Sequence, residues 1–251
     1  MSFDYNRTIT IRARPATVWR FFSEPEMFAR WWGAGSSIEA RVGAPMRIVY
    51  PDASSASGEV LALEPERMIA FSFGYDTPGK PIAPGGSRVT ITLEAVAEGT
   101  RIELRHELDD ANVRDMHAAG WRYHLAVFAK VVQAEQHRDL ELRVDRYFRA
   151  WAELSFESRA AVLAGAVSDD VRFADAHGFT RGRVELERHI AAALTHMRGV
   201  ELVRRGAVRS CQGVALADWE LRAGERVLGS GTNVFELDAD GMIAAVTGIT
   251  S

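Results

Sequence analysis

The sequence predicts an α+β protein of two domains, residues 1–137 and 138–251, each combining helices with antiparallel strands. Three observations predict it. All eight prolines lie at or before Pro84, so the two halves use different loop chemistry. Period-two alternation runs through several segments of the first half and then gives way to helical spacing over 111–136. The second half reverses that order, with helical patterns first and strands after them.

The first domain opens on a strand, Thr8-Ile9-Thr10-Ile11, whose residues alternate in polarity. Pro15 starts a helix that runs through Phe22, since proline suits a first helical turn. A second short helix from Pro25 carries Trp31-Trp32. Strands are expected near 45–50, 57–64, 67–74, 88–96 and 100–107, with Ala97-Glu98-Gly99 turning the last hairpin. The proline-rich stretch 75–86 reads as an exposed loop. Trp121, Leu125, Phe128 and Val132 form the apolar stripe of the long helix over 111–136.

In the second domain, Leu142, Val144, Tyr147, Phe148 and Trp151 mark an amphipathic helix, and a shorter helix lies near 157–165. The segment 169–178 reads as a strand that puts Val171, Phe173, Asp175 and His177 on one face. A helix over Arg183–Met197 follows, then four strands near 199–210, 213–222, 225–237 and 242–249. Arg222–Glu225 and Asp238–Gly241 are the tight turns between the later strands.

Bulk properties exclude several classes. Hydrophobic residues make up 47% and charged residues 25%, enough for a packed core with a solvated surface. The net charge of -4 is shared evenly, with 15 Lys+Arg against 17 Asp+Glu in each half, so neither half is a basic body suited to nucleic acid. No apolar run reaches membrane-spanning length. The opening MSFDYNRTITI lacks a signal-peptide layout. Cys211 is the single cysteine, which rules out an intrachain disulfide or a cysteine metal cluster, and a reduced, cytoplasmic setting is expected.

The first half resembles the helix-grip superfamily, which includes START and polyketide cyclase-like proteins, and within it the branch of the Hsp90-ATPase-activator domain. The matching residues are Pro15 with Val18-Trp19, Trp31-Trp32, Arg41-Val42-Gly43, Gly58-Glu59-Val60, Arg67 to Phe71, Val89 to Glu94, and Gly120-Trp121. The resemblance implies a curved antiparallel sheet around a long C-terminal helix. It also implies a cavity between them for apolar small molecules, which Trp121, His106 and Trp32 would line. The second half is similar to the nuclear-transport-factor-2-like superfamily, in particular its SnoaL-like polyketide cyclase and ketosteroid isomerase relatives. Tyr147 in Arg146-Tyr147-Phe148, the segment 169–178, Gly182, His189-Ile190, Trp219 and Asn233-Val234-Phe235 carry that similarity. It implies an α+β cone that commonly pairs into a homodimer.

The second resemblance implies site residues. Asp175 matches the position of a general base that takes a proton from carbon beside a carbonyl. An apolar wall suits such a carboxylate by raising its pKa. The competing role is structural: Asp175 ends its strand and caps the loop Ala176–Thr180. Tyr147 and Asn233 match the two donors to the developing enolate oxygen. A tyrosine and a protonated aspartate do this work in the isomerase, so Asn233 keeps a donor without its acidity. Tyr147 also reads as an ordinary core aromatic. His177 is expected to tune Asp175, relay a proton or sit exposed. Phe173, Trp219 and Trp151 are expected to contact ligand.

No phosphate loop, dinucleotide fingerprint, nucleophile elbow or zinc-protease motif occurs, so no cofactor is expected. No metal is expected either. His117 and His124 lie seven helical residues apart, a rise of about 10.5 Å, too far to share one ion with short ligand bonds. The expected function is binding of a small apolar or carbonyl-containing molecule, with cofactor-free isomerisation or cyclisation by Asp175, Tyr147 and Asn233. The alternatives are a non-catalytic ligand binder or sensor, and a dimeric interaction protein.

Overall fold

The computed structural model describes residues 3–251. The chain forms two compact units, Met1–Gln136 and His137–Ser251, each with its own apolar core. The architecture is mixed α+β, as the sequence predicts.

The first unit runs β1 (Tyr5–Ile11), α1 (Pro15–Ser23), α2 (Pro25–Trp32), β2 (Ser37–Ile38), β3 (Pro45–Val49), β4 (Ser55–Glu64), β5 (Met68–Tyr75), β6 (Ser87–Val96), β7 (Gly99–Glu107) and α3 (Ala111–Gln136). Proline placement explains the paired short helices. Arg14 and Glu24 are both extended, the conformation favoured before proline, and Pro15 and Pro25 then start α1 and α2. The sheet is antiparallel in the order β1-β7-β6-β5-β4-β3-β2. At the β6–β7 turn, a Cβ on Gly99 would lie 2.1 Å from the Ile11 carbonyl oxygen, so only glycine lets the start of β7 approach the end of β1.

On α3, Trp121, Leu125, Phe128 and Val132 are all buried. Phe128 meets Phe22 at 5.1 Å and Trp31 at 4.8 Å between ring centroids, which locks α1 and α2 against the long helix. The loop after β5 departs from expectation. Ile82 is buried, and its carbonyl accepts from the Tyr75 amide at 2.9 Å, so an apolar side chain ties this loop to the core.

The second unit runs α4 (Leu140–Ala150), α5 (Phe156–Ala164), β8 (Val167–Asp175), β9 (Gly178–Arg181), α6 (Arg183–His196), β10 (Glu201–Cys211), β11 (Val214–Ala223), β12 (Arg226–Leu237) and β13 (Ile243–Thr250). Ser155 caps α5 by accepting from the Ser158 amide at 3.1 Å. On α4 the buried face is Leu140, Val144, Tyr147 and Phe148, while Leu142 is exposed. Leu142 was expected in that stripe, but two helical residues from Leu140 or Val144 is about 200° around the axis.

The sheet order is β10-β11-β12-β13-β8-β9. Every pair is antiparallel except β13 with β8, which is parallel and departs from the expected all-antiparallel sheet. The strand expected over 169–178 also ends early, at Asp175. The chain turns at Ala176-His177 and returns as β9, a four-residue strand in the expected loop. Among the described residues, no helix is long and apolar enough to cross a membrane.

Candidate functional site

Register brings the first two site residues together. Asn233 on β12 pairs with Gly248 on β13, and the neighbouring Thr247 pairs with Ala174 on β8. Asn233, Gly248 and Asp175 therefore sit side by side on three adjacent strands. A Cβ built on Gly248 would lie 3.3 Å from both Asn233 Oδ1 and Asp175 Cβ. The missing side chain leaves a gap in the sheet floor, and the two polar groups face it from either side.

That floor belongs to a cavity of about 560 Å³. Helix α4 supplies Tyr147, and Trp151 follows just beyond its last residue; α6 supplies His189. Phe173 and Trp219 add aromatic wall from the sheet, and no lysine or arginine lines the cavity. Each catalytic or ligand-contact residue named from the second half of the sequence lines this one space, His177 included.

The two oxygens of Asp175 have different surroundings. Oδ1 accepts from the amides of His177 at 2.8 Å and Gly178 at 2.9 Å, closing the turn into β9. Oδ2 lies 3.6 Å from His189 Nε2, beyond hydrogen-bond length and within ion-pair reach. His177, which is exposed, meets the carboxylate through its backbone. The histidine side chain beside Asp175 is His189, whose ring packs on Phe173 at 4.9 Å.

Asn233 is buried, and Trp219 Nε1 donates to its Oδ1 at 3.1 Å. An indole N–H only donates, so this contact fixes which amide atom is oxygen and leaves the Asn233 NH₂ as a donor. Tyr147 is fully buried, and its hydroxyl has no hydrogen-bond partner. Burial pushes the Tyr147 pKa up, and the Asp175 charge pushes the same way. Trp151 Nε1 works against that rise without reaching hydrogen-bond geometry, and it too is buried and unpartnered. An unpaired buried polar group costs about 1–3 kcal/mol, so two such groups on one cavity wall are expensive unless a ligand satisfies them.

His189 had a signal in the sequence. Leu186, His189 and Ala193 follow helical spacing, so the histidine could have been placed on the inward side of α6. Gly248 had none, because its importance depends on the register of three strands.

The first unit holds a smaller cavity of about 90 Å³, lined by Trp32, Trp121, His124, Tyr50, Tyr75 and His117 among others. His106 lies outside that lining and is fully buried. Trp121 Nε1 donates to its Nδ1 at 3.0 Å, which leaves Nε2–H to donate to Ser87 Oγ at 2.8 Å. The Ser87 hydroxyl in turn donates to the Phe73 carbonyl at 2.9 Å. Burial and the neighbouring His117 push the His106 pKa down to about 3. Burial likewise lowers His124 to about 4. Trp32 Nε1 and His124 Nδ1 have no hydrogen-bond partner. Among the described residues, no group of three or more His, Cys, Asp or Glu is placed to hold a metal.

Residues 12–133 match the family model of the Activator of Hsp90 ATPase homolog 1-like protein. The first unit resembles this family. Similar solved structures include an activator-like protein from Rhizobium etli, 29% identical, covering 53% of this chain and 82% of that one at a TM-score of 0.42. The Aha1 dimer from Colwellia psychrerythraea is 18% identical, covering 49% and 90% at a TM-score of 0.42. A SnoaL-like family protein from Agrobacterium tumefaciens is 24% identical, covering 47% and 98% at a TM-score of 0.43. The SnoaL-like and activator-like resemblances read from the sequence both recur among these matches. No curated protein matches the chain.

Proposed function

We propose that the second unit binds an uncharged carbonyl compound and moves a proton on it without a cofactor, as an isomerase or cyclase does. The observation that carries this reading is the convergence of Tyr147, Asp175 and Asn233 on one cavity. Asp175 Oδ2 takes a proton from the carbon beside the carbonyl. Negative charge then develops on the carbonyl oxygen, where the Tyr147 hydroxyl and the Asn233 NH₂ donate to it. The same carboxyl returns the proton to that carbon or to another along the conjugated system. His189 Nε2 stands 3.6 Å from Asp175 Oδ2, within ion-pair reach.

The test is solvent exchange. 2-Acetylnaphthalene has acidic protons beside its carbonyl and a flat apolar body. In deuterated buffer the protein is expected to speed deuterium entry into the methyl group, read by NMR, and Asp175→Asn to remove that acceleration. Acceleration unchanged in Asp175→Asn would sink the reading.

One observation favours a binder without catalysis: Asp175 Oδ1 already holds the turn through two amides, a structural duty that needs no proton transfer. Binding of the ketone with no exchange selects that alternative. The first unit adds a small apolar ligand site at Trp32 and Trp121, with His106 bracing Trp121 from behind. Homodimer formation completes the proposal; light scattering after size exclusion reads it, and a monomer at micromolar concentration removes it.

A further inference from the structure

We propose that Tyr147 and Trp151 form a two-donor clamp for a single ligand oxygen, so that Trp151 binds through its N–H and selects neutral, flat ring ketones over anionic and oxygen-free analogues. The clamp deepens the carbonyl reading of the same cavity and rests on it.

The two residues stand four apart on one face of α4 and its last turn, the spacing that brings helical side chains together. Their rings lie 6.4 Å apart between centroids. Both residues line the cavity, both polar atoms are buried beside it, and neither reaches a hydrogen-bond partner, though Trp151 Nε1 lies close enough to the Tyr147 hydroxyl to act on its pKa. The indole N–H has no rotational freedom to seek another acceptor. The Tyr147 hydroxyl can rotate, yet it still meets no acceptor. Two convergent donors without acceptors make a site for an acceptor oxygen.

The rest of the wall sets the body and charge of that ligand. Phe173 and Trp219 present ring surface, and Trp219 is tethered to Asn233 by its own N–H, so it cannot serve as a donor. From the sheet, the Asn233 NH₂ and the Thr250 hydroxyl are left to donate. No lysine or arginine lines the cavity, so a carboxylate finds no permanent counter-ion; three histidines, His177, His189 and His196, line it, and Asp175 contributes a repelling charge.

Three probes with one ring system separate these effects: naphthalene, 2-acetylnaphthalene and 2-naphthoate, with affinities measured by calorimetry on the full chain at pH 7. The ketone is expected to bind at least about tenfold more tightly than either of the others. Trp151→Phe keeps a ring and removes the N–H. It is expected to cut the ketone-over-naphthalene preference about fivefold to tenfold, the worth of one buried hydrogen bond, and to leave naphthalene affinity within about twofold. Tyr147→Phe has the same expected effect. A second reading needs no variant: in ¹⁵N-labelled protein the Trp151 indole proton shifts downfield with the ketone and stays put with naphthalene. An unchanged preference in Trp151→Phe, an unmoved indole resonance, naphthoate binding as tightly as the ketone, or no binding of any probe overturns the clamp. Ketone preference that depends on Trp151 with no deuterium exchange sinks the catalytic reading alone. Asp175-dependent exchange with no role for the Trp151 N–H sinks the clamp alone.

Discussion

Two buried polar clusters, one in each unit, are built from the same parts and finish differently. Around His106, a tryptophan N–H meets an imidazole nitrogen, the other nitrogen meets a serine, and the serine meets a backbone carbonyl. Around Tyr147, a tryptophan N–H and a phenol hydroxyl lie buried on residues that line one cavity, and neither reaches a hydrogen-bond partner. Burial alone does not separate the clusters, since His106 and Tyr147 are both fully enclosed. Completion of the hydrogen bonds does. The closed cluster specifies packing, and the open one leaves two hydrogen-bonding groups unpaired, which the proposed ligand would satisfy.

The contrast is sharpened first at the open cluster. Asp175→Asn is expected to lower proton exchange on the ketone probe by about a hundredfold or more, the usual contribution of a general base. A smaller loss would move the Tyr147 cluster back toward a simple binding site.

Acid is expected to strain the closed cluster next. The His106 pKa is pushed down to about 3, below its ordinary 6.5, so the folded form refuses a proton that the unfolded chain accepts. The stability this supplies is complete above about pH 6.5 and is lost as pH falls from there toward 3, about 2 kcal/mol by pH 5. Urea unfolding at pH 7 and 5 measures the loss, and an NMR titration shows whether the His106 ring stays neutral. Protonation of that ring near pH 6 would break the comparison.

Two hydroxyl deletions should then differ in sign. Ser87→Ala leaves the His106 Nε2–H unpaired in the core and is expected to cost about 1–3 kcal/mol by denaturant melting. Tyr147→Phe deletes a hydroxyl that has no partner and is expected to raise the stability of the ligand-free protein by up to about 1 kcal/mol. Two losses of similar size would show the Tyr147 hydroxyl to be satisfied after all. The smallest expected stability change is Gly248→Ala, within about 0.5 kcal/mol, because its methyl points into the cavity. The same methyl at 3.3 Å from Asn233 and Asp175 is expected to lower ketone affinity about tenfold.

Local signals were legible in the sequence, and long-range pairing was not. Pro15 and Pro25 announce their helices because proline fixes backbone locally, and the stripe from Trp121 to Val132 announces the long helix by periodicity alone. The parallel pairing of β13 with β8 has no local signature, since strands far apart in the chain meet only in the finished sheet. β9 escaped because four residues, Gly178–Arg181, carry too few alternations to read. At the site, Asp175, Tyr147 and Asn233 could be named through a resemblance. That Trp219 occupies the Asn233 oxygen, and that Gly248 opens the floor between the polar groups, follows only from register. His177 was chosen beside Asp175 on the assumption of a continuing strand. The turn at Ala176-His177 removes its side chain from that role, and His189, distant in sequence, stands there instead.

The divided duty of the Asp175 carboxylate has an evolutionary consequence. An asparagine at this position can keep its oxygen on the amides of His177 and Gly178, so the turn survives while the proton acceptor disappears. Aspartate and asparagine codons differ by one base. If the proposed proton transfer holds, a lineage carrying this scaffold stands one nucleotide from exchanging a catalyst for a carrier, with its fold and its cavity inherited intact.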